Sequence, residues 1–304
     1  MRAAWLSGIF PPIATAFAAD GELRPAHAGY LEFLRLGGLD GVVALGSNGE
    51  AANLTESERL QWIRSVRGAL PSPLRLIAGT GAESTRATIE RTTAAAAEGA
   101  EAALVIAPSY FRRQLTAEAL RAHYHGVAEA SPIPILIYNV PTHMGYDLGA
   151  EWIVRLAGHP NIAGIKDSSG DIARLPRLRE QLGPDFILLT GAGEKMVDAL
   201  EAGADGGIVA LACLAPHASA AIRNAWLEHR ADEARRLQVQ WLFRCNGYRV
   251  TLTESGGESE IGNNPGRRQR LSARLATAAR TRATRPARFR QRLRADGKMR
   301  VYEA

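Results

Sequence analysis

One unit recurs eight times between residues 8 and 213: a short apolar run rich in β-branched residues, a polar break, and a segment with helical periodicity. Short continuous apolar runs bounded by glycine and proline are typical of strands that are buried on both faces of a parallel sheet. The candidate strands are residues 8–17, 41–47, 74–81, 102–108, 133–141, 161–168, 186–193 and 206–213. This repeat constrains the fold more than any other feature of the sequence.

The segments between the candidate strands have the pattern of amphipathic helices. One opens with Thr55 and Glu58 in the arrangement of a capping box and continues with apolar residues at helical spacing, Leu60, Ile63, Val66 and Leu70. Another is alanine-rich over residues 85–98 and ends at Gly99. Strands alternating with helices over about 230 residues favour an α/β fold, a (β/α)8 TIM barrel, over an open doubly wound sheet. The first strand-to-helix turn also lacks a GxGxxG fingerprint, which weakens a dinucleotide-binding alternative.

Length and composition bound the rest of the architecture. A chain of 304 residues with 46% apolar residues can form one large α/β domain or two smaller ones. We predict a catalytic barrel domain over residues 1–230 and a C-terminal helical extension over residues 231–304, atypical and arginine-rich from about residue 244. No apolar run approaches the roughly 18 residues that span a bilayer. The first residues show no signal-peptide pattern. Cys213 and Cys245 have neither the spacing of metal ligands nor that of a disulfide framework. We therefore expect a cytoplasmic protein with no membrane partner.

The positive charge is concentrated at the C-terminal end. The net charge of the whole chain is +6, but residues 244–304 carry a net of +10 and the first 243 residues a net of −4. The basic segment has few large apolar side chains with which to form a core. Three interpretations stay open: a frame-shifted or otherwise altered terminus, a basic arm that binds nucleic acid or acidic partners, and a solvated tail. Since the excess charge lies outside the predicted barrel, we do not expect nucleic acid to be a partner.

In a barrel, functional side chains lie at the carboxyl ends of the strands and in the loops that follow. Lys166 stands at such an end and is one of only three lysines among 37 basic residues. It alternates with Ile162 and Gly164, so it is expected to point with them into the barrel mouth. Burial favours the neutral amine of a lysine, which can attack a ketone to form a Schiff base. The alternative is a solvated lysine that pairs with Asp167 or Asp171.

Two neighbouring strand ends carry groups suited to the same chemistry. Tyr138 closes the preceding candidate strand, and a phenol there can shuttle a proton; alternatively, its ring caps the barrel and its hydroxyl binds backbone. The turn GSNGE (46–50) follows the second strand, and its glycines permit a tight turn whose N–H groups converge on a carboxylate. An ordinary strand-to-helix connection is the alternative for this turn.

Four motifs together resemble those of a known family. GSNGE (46–50), APSYF (107–111), YNVP (138–141) and GIKDSSGD (164–171), in this order, are similar to the motifs of the dihydrodipicolinate synthase and N-acetylneuraminate lyase family of Schiff-base aldolases. The resemblance extends from about residue 8 to about residue 240. It implies that Lys166 forms the Schiff base with pyruvate or another 2-oxo acid, without a metal or other cofactor. It also implies that Tyr138 transfers protons and that Ser47 relays them.

The resemblance further implies how the substrate is bound. Ser47 and Asn48 would hold the carboxylate of the 2-oxo acid. Further substrate-binding positions are Ser168, Gly191 and Val209. Tyr110 matches the family tyrosine that reaches into a neighbouring subunit's active site, so we expect a homo-oligomer, a dimer or a tetramer, that shares Tyr110 across its interface.

The segment YNVPTHMGYD bears on which branch of the family this sequence resembles. Synthase members have GTTGE and, in this segment, an arginine that binds the aldehyde substrate's carboxylate, whereas this sequence has GSNGE and His143. A neutral imidazole anchors a carboxylate more weakly than a guanidinium, although His143 could also lie on the rim without touching substrate. The sequence is most similar to the 4-hydroxy-2-oxoglutarate aldolase branch, which implies cleavage to pyruvate and glyoxylate. The alternatives are dihydrodipicolinate synthase, another 2-keto-3-deoxy sugar acid aldolase or dehydratase, and an inactive barrel with a nucleic-acid-binding tail.

Overall fold

The computed structural model describes residues 4–18, 20–245, 289–293 and 299–303. Within this part of the chain, seven parallel strands form one sheet, and their order across the sheet is their order in the sequence. They are β1 Gly41–Ala44, β2 Arg75–Gly79, β3 Ala102–Ile106, β4 Ile135–Asn139, β5 Ile162–Asp167, β6 Ile187–Thr190 and β7 Gly206–Gly207. Nearly all of their residues are buried, which is why each strand reads as an apolar run rather than an alternating one. The last seven of the eight predicted strands are confirmed in position.

The segment 8–17, predicted as the first strand, forms only isolated bridges, two of them parallel and one, between Phe17 and Leu23, antiparallel. Ile9 pairs with Gly207 of β7, and Pro12 pairs with Val43 of β1. Proline has no N–H to donate, and two consecutive prolines interrupt a regular ladder here. The segment nevertheless contacts both edge strands of the sheet, an arrangement that is consistent with a closed barrel.

β7 is much shorter than the predicted strand over residues 206–213. A Cβ atom at Gly206 would lie 2.0 Å from the carbonyl oxygen of Gly8, so this close approach requires glycine. The N–H of Ile208 still donates to the carbonyl of Thr190 at 2.9 Å, and the chain then enters a 3-10 helix, Ala210–Cys213. β7 therefore ends shortly before the chain leaves the sheet and enters this 3-10 helix.

The helices of the described residues alternate with the strands as predicted. They are α1 Ala28–Leu36, α2 Glu56–Ala69, α3 Thr85–Ala97, α4 Ala117–Ala130, α5 Pro141–Met144, α6 Ala150–Leu156, α7 Arg174–Leu182, α8 Met196–Glu201, α9 Pro216–Leu227 and α10 Ala231–Cys245. The predicted capping box is confirmed, because the Thr55 hydroxyl accepts from the N–H of Glu58 and the Glu58 carboxylate accepts from the N–H of Thr55. The alanine-rich helix ends before Gly99, whose φ of +92° suits a residue without a side chain.

His123 of α4 is a buried polar group between α4 and α3. Its Nδ1 lies 3.0 Å from the hydroxyl of Thr85, and its Nε2 has no hydrogen-bond partner among the described residues. Burial lowers the pKa of His123 to about 4, and the nearby Glu83 opposes this only weakly. The imidazole is therefore held neutral in the folded protein.

This depressed pKa predicts acid sensitivity. The unfolded chain protonates His123 below about pH 6.5, whereas the folded protein resists protonation down to about pH 4, so stability is lost as pH falls through this window. Urea unfolding at pH 7 and pH 4.5 is expected to show a His123-dependent loss of up to about 3 kcal/mol. His123→Leu should flatten the profile, while His217→Gln at an exposed position should not. Parallel profiles for wild type and His123→Leu would contradict the assignment.

In the described part of the chain, α10 follows α9 and contacts α8. Gln238 of α10 accepts a hydrogen bond from the N–H of Val197 in α8 at 2.8 Å and donates one to the carbonyl of Glu194 at 2.6 Å. The domain boundary at residue 230 stays a prediction. Most of the arginine-rich segment, to which the three tail interpretations apply, lies outside the described residues. Within it, β8 Phe289–Leu293 and β9 Met299–Glu303 pair in antiparallel register. No described helix has the length and apolarity needed to cross a membrane.

Candidate active site

Lys166 and Tyr138 stand side by side at the carboxyl ends of β5 and β4. The two residues are partners in the parallel register, and the Lys166 Nζ lies 4.1 Å from the centroid of the Tyr138 ring. Each is only 5% exposed. Among the described residues no ion pair of the Lys166 ammonium is found, and Asp167 and Asp171 are instead bound to Arg174. The geometry therefore matches a buried amine rather than a solvated lysine paired with its neighbours.

Ser47 extends this pair toward the turn after β1. Its hydroxyl oxygen lies 3.2 Å from that of Tyr138, so a proton can pass between the two side chains. Ser47 opens a short 3-10 helix, Ser47–Gly49, in the predicted GSNGE turn. The buried hydroxyl of Thr15 donates to the carbonyl of Gly49 at 2.5 Å and anchors the far end of this turn. Asn48 lies half-buried in the same turn.

The GSNGE turn has an unusual backbone. Leu45, directly before the turn, and Glu50, its last residue, both adopt left-handed conformations, with φ of 58° and 53°, which non-glycine residues rarely do. The Leu45 carbonyl packs directly against Gly79 of β2. A Cβ atom at position 79 would lie 1.9 Å from the Leu45 carbonyl oxygen, so the close approach requires glycine. Strain of this kind is concentrated at functional sites, which favours a functional turn over an ordinary connection.

Three predicted pocket residues lie on the loops after β5, β6 and β7. Ser168 is half-buried, and its N–H donates to the carbonyl of Asn139 at 2.8 Å. Gly191 lies directly against it, because a Cβ at position 191 would be 1.9 Å from the Ser168 hydroxyl oxygen. Val209 is buried and packs beside Gly193. Ser168 and Gly191 thus form one contact, and Val209 lies farther along the same edge of the sheet.

Tyr110 and His143 lie at the periphery. Tyr110 is 76% exposed and stacks edge-to-face on Phe111 with ring centroids 4.9 Å apart. Within the described residues no hydrogen bond joins Tyr110 to Ser47 or Tyr138; its N–H donates to the Glu83 carboxylate at 2.9 Å. His143 is exposed on α5. Within one chain, Tyr110 therefore lies outside the Lys166 site, and its role in a neighbouring subunit stays a prediction.

Sequence reasoning missed a polar cluster behind the two strand ends, here called the strand-end clamp: Asn139, Asp147, Asp167, Asp171 and Arg174. The amide nitrogen of Asn139 donates to Asp147 at 2.7 Å and to Asp167 at 2.9 Å. Arg174 is ion-paired with all three aspartates. The signal in the sequence was the pair of polar residues that directly follow Tyr138 and Lys166 in two of the motifs.

The described residues contain no group of three or more histidine, cysteine, aspartate or glutamate side chains arranged to hold a metal ion. Cys213 is a free, buried thiol whose Sγ lies 3.3 Å from the carbonyl oxygen of Pro12. Burial raises the pKa of Cys213 to about 12. Its thiol is therefore unsuited to act as a nucleophile.

Comparison with known proteins identifies the family. The sequence model of the dihydrodipicolinate synthetase family matches residues 5–247. The chain belongs to this family. Its fold is shared with a prophage protein of the family from E. coli K12, solved in complex with pyruvate, at a TM-score of 0.74 and 31% identity over 79% of this chain and 82% of that one. A second similar structure is the dihydrodipicolinate synthase of Acinetobacter baumannii complexed with pyruvate, with a TM-score of 0.73 and 32% identity over 90% of this chain and 98% of that one.

Similar family members carry two different names. A probable mitochondrial 4-hydroxy-2-oxoglutarate aldolase of Emericella nidulans is 35% identical over 86% of this chain and 88% of its own length. A 4-hydroxy-tetrahydrodipicolinate synthase of Stenotrophomonas maltophilia is 42% identical over 66% of this chain and 67% of its own length. The named relatives are aldolases and synthases, which supports an enzyme of the aldolase and lyase type and leaves its particular reaction to be inferred.

Proposed function

We propose that this protein is a class I aldolase that cleaves 4-hydroxy-2-oxo acids, with 4-hydroxy-2-oxoglutarate as the preferred substrate and pyruvate and glyoxylate as products. The observation that carries the proposal is the buried Lys166 amine, 4.1 Å from the centroid of the Tyr138 ring, with Ser47 hydrogen-bonded to the Tyr138 hydroxyl. These are a nucleophile, a proton carrier and a relay in direct contact. The parts needed for Schiff-base chemistry are therefore present in one chain, except for any contribution from Tyr110.

The reaction begins with attack of the neutral Lys166 amine on the C2 ketone of the substrate. The carbinolamine loses water and becomes an iminium, with Tyr138 and Ser47 carrying the protons that this step moves. The iminium draws electrons from the C3–C4 bond, which breaks as Tyr138 accepts the proton of the C4 hydroxyl. Glyoxylate leaves, and the remaining enamine is protonated at C3 and hydrolysed by water to pyruvate and free Lys166. The covalent iminium supplies the electron sink, so no metal or cofactor is required.

The turn after β1 is suited to the carboxylate next to the ketone. The N–H groups of Gly49 and Glu50 donate to carbonyls within the turn, so we assign the carboxylate to the start of the 3-10 helix and to the side chains of Ser47 and Asn48. Ser168 and Gly191 pack against each other on the loops after β5 and β6, and we assign them to the pocket wall on that side. We assign the 2-oxo acid end of the substrate to the space between these two features.

The distal carboxylate of 4-hydroxy-2-oxoglutarate needs a cation, and Arg112 offers one. A Cβ atom at Gly145 would lie 3.2 Å from Arg112 Nε, so the guanidinium packs on the loop that directly follows His143 and α5. Arg112 is exposed, and no carboxylate of the described residues pairs with it. A guanidinium from the loop after β3 can therefore take the place of the arginine that the synthase branch carries after YNVP.

Arg112→Ala is expected to lower kcat/KM for 4-hydroxy-2-oxoglutarate roughly 10-fold, since a hydrogen bond to a charged group contributes about 1.5–3 kcal/mol and solvent screens part of it. Cleavage of 4-hydroxy-2-oxopentanoate, which has no distal carboxylate, should be unchanged. The adjacent, exposed Arg113→Ala is the matched control. Equal losses on both substrates would show that Arg112 does not recognise the carboxylate.

Dihydrodipicolinate synthase activity is the second candidate, favoured by the 42% identity to a synthase. It predicts condensation of pyruvate with aspartate semialdehyde, and a product panel separates it from retro-aldol cleavage.

We further propose that residues 8–17 close a (β/α)8 barrel by filling the strand position between β7 and β1. We also propose that the active form is a dimer or tetramer in which Tyr110 serves a neighbouring site. A fully active monomer in native mass spectrometry would contradict this last point. The cytoplasmic location remains a prediction.

Reductive trapping tests the proposed reaction class. The purified protein is incubated with pyruvate and borohydride, and the adduct is mapped by peptide mass spectrometry. We expect a single N-carboxyethyl adduct on Lys166. A folded protein that gives no adduct would overturn the proposal and shift attention to the basic segment as the functional part.

A further inference from the structure

The strand-end clamp lies directly behind the two proposed catalytic side chains. Asn139 follows Tyr138 and Asp167 follows Lys166, and the two polar residues are themselves register partners in β4 and β5. Because successive strand residues point to opposite faces, Asn139 and Asp167 lie on the helix side of the sheet while Tyr138 and Lys166 lie on the inner side. Both Asn139 and Asp167 are buried. The clamp and the catalytic pair are thus two faces of the same two strand ends.

Every polar atom of the Asn139 amide is used. Its nitrogen donates to Asp147 and Asp167, and its oxygen accepts from the N–H of Leu148 at 3.1 Å. These bonds orient the amide, with nitrogen toward the two carboxylates. A side chain with both donors and its acceptor engaged holds the end of β4 at one distance from β5 and from the loop after α5.

Arg174 joins this pair of strands to α7. It is 9% exposed, donates to the carbonyl of Leu148 at 2.9 Å, and lies 3.6 Å from the Asp167 carboxylate. Its hydrogen bond to Asp147 raises the pKa of Arg174, against the effect of burial. Burial opposes ionisation of Asp147, but hydrogen bonds from Arg174 and Asn139 outweigh it and lower the pKa of Asp147. Asp147 and Arg174 are therefore both charged across the neutral range.

Asp167 also controls the loop that carries Ser168. Its carboxylate accepts from the N–H of Ser169 at 2.9 Å and from the Ser169 hydroxyl at 3.1 Å. Its backbone carbonyl accepts from the N–H of Gly191 at 2.7 Å. Asp167 thereby connects the Schiff-base strand with both loops that bound the proposed pocket, through its side chain to one and its backbone to the other.

We propose that Asn139, Asp167 and Arg174 are positioning residues for the aldolase reaction: they hold the Lys166 amine and the Tyr138 hydroxyl at the separation that Schiff-base formation needs. This inference rests on the proposed function. Displacements of about 1 Å from a productive geometry can cost two orders of magnitude in rate. The clamp is suited to prevent them, because it fixes both strand ends from the side opposite the substrate.

α7 provides a matched control for the test. Arg179 lies on the same helix in a similar network, bound to Asp205 and to the carbonyls of Gly203 and Phe186. That network ties the amino-terminal end of β6, where Asp205 also accepts from the N–H of Leu188. Arg174 and Arg179 are therefore structural arginines at opposite ends of the sheet, and only Arg174 lies behind the catalytic pair.

The experiment measures the rate of pyruvate trapping by borohydride at saturating pyruvate, together with the pyruvate concentration for half-maximal rate and the melting temperature. Arg174→Met and Asn139→Leu are expected to slow the trapping rate 10- to 100-fold with little change in the half-maximal concentration. Arg179→Met should lower the melting temperature by a similar amount and leave the rate unchanged. Arg174→Lys is the milder variant and should fold. Its trapping rate should lie between those of Arg174→Met and the wild type, because an ammonium keeps the positive charge but not the planar set of donors of the guanidinium.

The outcomes separate this inference from the proposed function. Equal trapping rates in wild type, Arg174→Lys and Asn139→Leu, with adduct formed on Lys166, would overturn the positioning role and leave the aldolase proposal intact. Rate losses as large in Arg179→Met would also overturn it, since general destabilisation would then explain them. No adduct in the wild type would overturn the proposed function first.

Discussion

Lys166→Arg is expected to abolish aldol cleavage and the borohydride-trapped pyruvate adduct together, with a loss of activity on the order of 10⁴-fold or more. A guanidinium at this position beside the Tyr138 ring stays protonated at neutral pH and cannot add to a ketone. Lys166→Met, which keeps the length of the side chain and removes the amine, should have the same effect. Intact mass after trapping and a coupled assay for released pyruvate measure both quantities.

Lys195→Arg is the matched control for this substitution. Lys195 is the other lysine within the described residues, it is exposed, and its Nζ donates to the carbonyl of Gly170 at 2.8 Å on the loop after β5. We expect its adduct yield and cleavage rate to match those of the wild type. If Lys166→Arg retained the adduct while Lys195→Arg lost it, the nucleophile would have to be reassigned to Lys195.

Tyr138→Phe is expected to lower kcat about 10²- to 10⁴-fold, the range that general acid–base catalysis contributes. The substitution removes only the hydroxyl that lies 3.2 Å from Ser47 and leaves the ring beneath the Lys166 amine. Pyruvate should therefore still be trapped on Lys166, though more slowly. Single-turnover trapping, compared with steady-state cleavage, separates loss of proton transfer from loss of the nucleophile.

Tyr124→Phe controls for the removal of a buried phenol. The Tyr124 hydroxyl is fully buried on α4 and donates to the carbonyl of Val105 at 2.9 Å, so its loss is expected to cost about 1 kcal/mol of stability and no activity. Should both Phe variants lose the same activity, the Tyr138 effect would be one of packing. Unchanged kcat in Tyr138→Phe would exclude it as the proton carrier.

Most of the sheet was predictable because a strand that is buried on both faces shows itself locally as an apolar run. At the two ends of the repeat, the segments predicted as regular strands are irregular or shorter, for a different reason at each end. At residues 8–17, consecutive prolines remove donors from the ladder and leave isolated bridges. At residues 206–213, the strand is only Gly206–Gly207, and the chain soon enters the 3-10 helix Ala210–Cys213. Neither effect is visible in the periodicity of the hydrophobic residues.

The proposed catalytic pair was accessible from sequence because each residue ends its own apolar run. The prediction that Lys166 shares a face with its neighbours at alternate positions needed only strand geometry. Its proximity to Tyr138 needed the register between β4 and β5, which the bulge near Ile135 shifts by one residue. The separation of Tyr110 from this pair within one chain could not be predicted from spacing, since it depends on the path of the loop after β3.

The sequence by itself determined the alternation of strands and helices, the family, and the residues at the strand ends that bear on chemistry, because each of these is written in short contiguous motifs. Only the tertiary structure decided that Lys166 lies against Tyr138, that Ser168 packs on Gly191, and that the buried Arg174 pairs with Asp147, Asp167 and Asp171. The physical reason is the distance along the chain over which each effect acts. Hydrophobic periodicity is visible within a few neighbouring residues. A buried charge is stable only where groups from distant segments pair with it, and those segments meet only in the folded chain.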